Sequence, residues 1–129
     1  MLCVQTVLKP SKIHGLGVFA DEFISKWTIV WRFTPWFDLK FTKEQIQAFP
    51  GHIQKYMETY TWLSKKSGLY CLSSDNGKYF NHSITPNTLS AYYDTGEEVL
   101  TTAIRDIHPW EEITDNYASF EDISNTSFV

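Results

Sequence analysis

The sequence predicts a mostly β domain with a short helical insert. Stretches rich in β-branched and aromatic residues are brief and are punctuated by Gly, Pro and Asx turns, which marks many short strands. One region alone, between Thr42 and Trp62, joins helix-start chemistry to helical spacing of its apolar residues. The length of 129 residues, with 43% apolar and 20% charged content, suits a single folded domain over 1–129.

Each element follows from local chemistry. Leu2 to Leu8 loosely alternates and reads as an edge strand ended by Lys9-Pro10-Ser11. Gly15-Leu16-Gly17 is a turn feeding a short strand, Val18-Phe19-Ala20, and Thr28 to Phe33 is a second strand. Thr42-Lys43-Glu44-Gln45 has the form of a capping box, with Ile46 and Phe49 following at helical spacing. Pro50-Gly51 breaks that helix. Further helical turns over His52 to Trp62 place Ile53, Tyr56, Met57 and Tyr60 on one side. Leu69 to Ser73 reads as a strand and Asp75-Asn76-Gly77 as a turn. Thr88 to Tyr93 and Glu98 to Arg105 form a hairpin around Asp94-Thr95-Gly96, and Ile113-Thr114 is a last extended piece.

Composition narrows the function classes. No apolar run approaches the roughly 18–20 residues of a membrane span, and the first residues lack the basic and apolar regions of an export signal. The expectation is a cytoplasmic protein, or a nuclear one if the source is eukaryotic or viral, with no membrane partner. Cys3 and Cys71 are too few for a zinc site, so no metal is expected and both thiols are expected to be reduced and buried. Net charge is −4, unevenly spread. From Asp94 onward there are nine acids against one base, Arg105, while the preceding residues hold ten bases and six acids. That end disfavours nucleic acid and attracts cations, although the same charge also reads as a solvated acidic face.

Three segments carry unusual chemistry. Gly15-Leu16-Gly17 resembles part of a dinucleotide fingerprint, but the third glycine is absent and a strand follows where a helix should. What remains is a turn whose backbone can approach a ligand closely, Cβ being absent at two positions. Tyr79-Phe80-Asn81-His82-Ser83-Ile84-Thr85-Pro86-Asn87 sets Asn, His and Ser side by side next to aromatics and a rigid Pro-Asn turn. Such a loop offers several hydrogen bonds to a polar ligand. Metal binding through His82 lacks a second ligand at a suitable spacing, and a Ser83–His82 nucleophile pair lacks a glycine elbow. Ala103 to Tyr117 is an alternating strand, a turn, a carboxylate pair and a terminal tyrosine. Glu111 and Glu112 are adjacent on an extended chain, so they point to opposite faces and cannot share a proton.

Taken in order, these segments resemble the SET domain, the lysine methyltransferase family. His14-Gly15-Leu16-Gly17-Val18-Phe19-Ala20 is similar to its opening glycine motif, and Lys78 to Asn87 to its Arg-Phe-x-Asn-His-Ser-Cys-x-Pro-Asn block. Ala103 to Tyr117 is similar to Ala-x-Arg-Asp-Ile-x-x-Gly-Glu-Glu-[Ile/Leu]-Thr-x-[Asp/Asn]-Tyr. The resemblance implies small curved sheets, with a carboxy-terminal pseudoknot that brings the Asn-His-Ser block beside the last tyrosine. It implies S-adenosylmethionine as methyl donor and S-adenosylhomocysteine as product. The donor would be held by His14, by the backbone of Gly15, Leu16 and Gly17, and by Asn81 and His82. Tyr117 would be the active-site tyrosine. Tyr60, in Thr59-Tyr60-Thr61-Trp62, would be a second active-site hydroxyl, its other reading being a core residue on a helix face.

Departures from the family pattern are Lys78, Ile84 and Trp110, where arginine, cysteine and glycine are usual. The cysteine-rich zinc-binding flanks of many members are absent. Ala118 to Val129, with Phe120 and Phe128, or a second copy of the chain, would then close the substrate channel. Phe120, Tyr79 and Trp110 are candidate channel walls. The expected activity is transfer of a methyl group to a lysine side chain of a basic protein or peptide. Transfer to a small polycation such as a polyamine is one alternative, and an inactive module that binds a partner is another.

Overall fold

The computed structural model describes residues 1–121. Its order is β1 (Thr6–Pro10), β2 (Leu16–Ala20), β3 (Ile29–Arg32), β4 (Leu39–Phe41), α1 (Lys43–Gln47), α2 (Gly51–Tyr60), β5 (Thr61–Leu63) and β6 (Tyr70–Leu72). It continues with β7 (Asn81–His82), β8 (Thr88–Tyr92), β9 (Val99–Ala103) and β10 (Thr114–Asp115). Short 3₁₀ turns cover Asn76–Tyr79 and Tyr117–Ser119. These strands form four small sheets: β1-β2, β3-β9-β8, β4-β6-β5 and β10-β7. Mostly β architecture around a helical insert is what the sequence predicts.

Local chemistry explains most boundaries. The Thr42 hydroxyl accepts from Gln45 N–H at 3.1 Å and the Gln45 side chain accepts from Thr42 N–H at 2.8 Å, so the capping box starts α1. Pro50 precedes α2, and the chain leaves that helix at Thr61, whose N–H and hydroxyl both turn back to Met57 O. Helical structure therefore ends at Tyr60 and not at Trp62, because Thr61 to Leu63 pairs with β6. The first strand also shifts. Leu2 bridges to Trp31 and Cys3 N–H donates to Val30 O, while β1 runs through Pro10, which pairs with Leu16. Proline is tolerated there because β1 has one strand neighbour and no second ladder to supply. Cys71 is buried as expected, whereas Cys3 is exposed, its segment lying on the rim of the β3 sheet.

Two apolar clusters support the site. Val18, Ala20, Ile24, Val30, Ala103, Ile107 and Ile113 form one, with Phe80 and Tyr79 packed on it. Trp31, Phe33, Cys71, Val99 and Phe120 form the other, with Trp62, Phe80 and Tyr117 against it. Phe80 joins both. A third cluster, Ile46, Met57, Leu63 and Tyr70, holds the helical insert to β5 and β6.

Candidate active site

Long-range pairing assembles the site. β10 runs parallel to β7, setting Thr114 opposite Asn81 and Asp115 opposite His82. The Asn87-Thr88 end of the loop is spent on this junction. Asn87 Nδ2 donates to Glu112 O at 2.7 Å, Thr114 N–H donates to Asn87 Oδ1 at 2.9 Å, and the Thr88 hydroxyl donates to Thr114 O at 2.7 Å. Asn87 and Thr88 are fully buried, so each of these bonds satisfies a group that water cannot reach.

On one side lies the glycine turn. Asn81 Nδ2 donates to His14 O and Leu16 O, both at 3.1 Å, and so ties the turn to β7. Its amide nitrogen is thus already engaged by the carbonyls of the turn. The two glycines serve different ends. Gly15 has φ +47° and opens on free space, where a Cβ would meet nothing within 4 Å. Gly17 is buried in β2, and a Cβ there would come within 2.5 Å of Glu112 Oε1. Close approach at Gly17 is therefore to Glu112, which the Ser11 hydroxyl also holds at 3.1 Å. Glu111 turns the other way to Arg105 at 3.1 Å, so the two neighbouring carboxylates do part as expected.

On the other side is a cavity of about 460 Å³. Trp31, Trp62, Tyr60, Phe80, Tyr117 and Phe120 supply its aromatic surface, and Asp115, Glu58 and Glu121 supply carboxylates. Tyr117 joins the cavity to β7. Its N–H donates to His82 Nδ1 at 3.1 Å, its ring lies 5.2 Å from the His82 ring, and its hydroxyl donates to Phe80 O within the cavity. Burial, aided by the Glu121, Asp115 and Glu112 carboxylates, pushes the Tyr117 phenol up to about 12. Tyr60 lines the cavity and is not a core residue. Its ring meets Tyr56 at 4.7 Å and Tyr79 at 5.4 Å.

The candidate walls divide. Phe120 is a wall, edge-on to Trp62 at 5.3 Å and to Tyr117 at 5.9 Å. Tyr79 stands behind Tyr60. Trp110 is no wall: it is 69% exposed and stacks flat on His108 at 5.1 Å, beside a turn closed by Glu111 N–H to His108 O. Phe128 lies outside the described residues. Sequence reasoning passed over Asp115, which is buried in the cavity, and over Trp31 and Trp62. The spacing of Asp115 from Tyr117 held the signal, since residues i and i+2 of an extended chain share a face.

The family model for the SET domain matches residues 15–118. The chain belongs to the SET domain family. S-adenosylmethionine is the cofactor of SET domains. Solved structures share the fold. A Plasmodium falciparum protein taken to be a histone methyltransferase is 23% identical, with TM-score 0.62, 88% of this chain and 93% of that one being covered. The Chaetomium thermophilum Polycomb Repressive Complex 2, in a humanized mutant bound to the inhibitor GSK126, is 22% identical with TM-score 0.69, covering 95% of this chain. The same complex in an autoinhibited conformation bound to S-adenosylmethionine is 21% identical with TM-score 0.68, covering 94%. This SET domain spans only 16% of each of those two chains. No curated protein sequence matches it.

Proposed function

We propose that this SET domain is an S-adenosylmethionine-dependent methyltransferase whose acceptor is the side-chain amine of a lysine in a basic protein. The observation that carries the reading is the position of Tyr117, which lines the aromatic cavity and is tied by its N–H to His82, the strand neighbour of the Asn81 that holds the glycine turn. The open backbone at Gly15 and exposed His14 and His82 fit a polar donor lying against the turn. The donor, when bound, presents an electrophilic methyl on a sulfonium sulfur.

The residues of the chain then position and desolvate the amine. A lysine ammonium has an ordinary pKa near 10.4 and must lose a proton before its lone pair can attack. The aromatic walls of Trp31, Trp62, Phe80 and Phe120 limit the water around the amine, which favours its neutral form, and their ring faces stabilise positive charge. Tyr117, with its phenol raised to about 12, keeps its proton at physiological pH and acts by hydrogen bonding. Alignment of donor and amine is the main contribution, since in-line displacement needs no covalent intermediate. Three carboxylates around the cavity also favour a second reading, a small polycation such as a polyamine as acceptor.

Calorimetric titration with S-adenosylmethionine, followed by transfer of labelled methyl to a lysine-rich peptide and to free polyamines, tests the proposal. Saturable donor binding, weakened in Asn81→Ala, and label on the peptide are expected. Label on polyamines alone would select the second reading, and no label on either would overturn both.

A further inference from the structure

Asp115 is the buried acid that the reading above leaves without a task. It is 2% exposed and lines the cavity that holds Tyr60 and Tyr117. Its side chain leaves β10 on the same side as Tyr117, while Asn116 between them turns away and accepts from Ala118 N–H at 3.1 Å. The Ser90 hydroxyl donates to Asp115 Oδ2, Ser90 lies 2.7 Å from the Thr101 hydroxyl, and Asn116 N–H donates to Asp115 Oδ1 at 2.8 Å. Ser90 and Thr101 line the cavity as well. The Ser90 backbone N–H also bonds the carboxylate, so three protein donors meet it, and a carboxylate offers about four acceptor positions. Acceptor capacity is left over inside a space walled by Trp31, Trp62 and Phe120.

A carboxylate placed among aromatic faces is the chemistry that binds an ammonium. The charge is met by the anion, the carbon chain by the rings, and the N–H groups by oxygen. A neutral occupant gains the ring contacts and a hydrogen bond without the charge, and an anionic one is repelled. Among the described residues, the other charged groups facing Asp115 are few. His82 is its backbone partner on β7, Glu58 and Glu121 lie on the cavity wall, and the one lysine there, Lys78, is bonded to the Tyr56 hydroxyl at 3.0 Å.

We propose that Asp115 is the cation-recognising group of the cavity, its carboxylate accepting a hydrogen bond from the ammonium of the substrate and holding that nitrogen beside Tyr117. The inference rests on the methyltransferase reading for the identity of the amine and for the proton it must lose. The same carboxylate receives the proton that the amine must shed. The ammonium N–H bond breaks, an O–H bond forms on Asp115, and the amine is left neutral with its lone pair free. Burial favours this direction, because it pushes the Asp115 carboxyl up to about 6, closer to a useful base than an exposed aspartate.

The test compares n-butylammonium with neutral n-butanol as probes, by chemical-shift titration of the wild-type chain, Asp115→Asn and Ser90→Ala, with thermal unfolding of each. Wild type should prefer the ammonium at least tenfold, Asp115→Asn should lose that preference while staying folded, and Ser90→Ala, which keeps the carboxylate, should retain it. Preference that fades as pH falls through about 6 supports the same conclusion. Equal preference in wild type and Asp115→Asn, or none in wild type, overturns the proposal whether or not the peptide is methylated. Preference that depends on Asp115, found together with no methyl transfer, upholds the cation site and removes the methyltransferase reading instead.

Discussion

Tyr117 and Asp115 stand two positions apart and face one cavity, yet their environments push them toward opposite uses. The Tyr117 phenol, raised to about 12, remains a hydrogen-bond donor fixed on Phe80 O. Tyr117→Phe keeps the ring against His82 and Phe120 and removes only the hydroxyl. Turnover should fall by roughly a hundredfold or more, while calorimetric affinity for the donor stays within about twofold. Equal loss of both would make the tyrosine a packing residue. Asp115 costs stability in its ionised form, since burial raises its pKa from 3.8 to about 6. Between those values the folded state keeps a proton that the unfolded state has lost, so stability falls as pH rises through that window. Two pKa units correspond to roughly 3 kcal/mol. Asp115→Asn should therefore unfold at a higher temperature than wild type at pH 7, with the difference vanishing near pH 4. The amide can still accept from Asn116 N–H, and Ser90 can turn its hydroxyl to Thr101.

Elements differ in how much of their position is local. α1 is the most local, because its capping box lies within four residues. Thr42→Ala should lower stability by about 1 kcal/mol in chemical denaturation, with no change in donor binding. The glycine turn is different. Its own residues supply the positive φ at Gly15, but Asn81, more than sixty residues away, holds its carbonyls. Asn81→Ala should weaken donor affinity by roughly tenfold through loss of a fixed turn and of two hydrogen bonds worth about 1 kcal/mol each. β7 and β10 are two residues each and show no period in the sequence. They exist because they pair with each other. The same applies to β4, whose Lys40 also reaches Glu97 and Glu98 at 3.1 and 3.0 Å.

For the whole molecule, charge is distributed less simply than the linear sequence implies. Glu97 and Glu98 pair with Lys40, and Glu111 pairs with Arg105. Glu112 accepts from Ser11. Asp115 is buried, and among the described residues Asp115, Glu121 and, from α2, Glu58 are the acids on the cavity. The acidic end is thus a weak general lure. Raising ionic strength from low salt should raise KM for a basic peptide only modestly, by roughly two- to threefold, in a steady-state assay. A flat response would assign attraction wholly to the buried carboxylate, and a steep one would restore the long-range field.

Local chemistry in the sequence was enough for the mostly β class, the capping box, the Asp94-Thr95-Gly96 hairpin and the motif blocks around Gly15, Asn81 and Tyr117. Turns, caps and motif spacing depend on residues close together in the chain, so one sequence carries them. It also sufficed to part Glu111 from Glu112, because neighbours on an extended chain face apart. Tertiary structure alone decided what each motif residue touches. It turned Trp110 outward onto His108, gave Gly17 to Glu112 and left Gly15 open, and occupied the Asn81 amide with the glycine turn. It also enclosed Asp115 among aromatic rings drawn from β3, β5 and the Tyr117 turn. Direction and burial of a side chain are set by the strand that happens to lie opposite, and here that strand is tens of residues away.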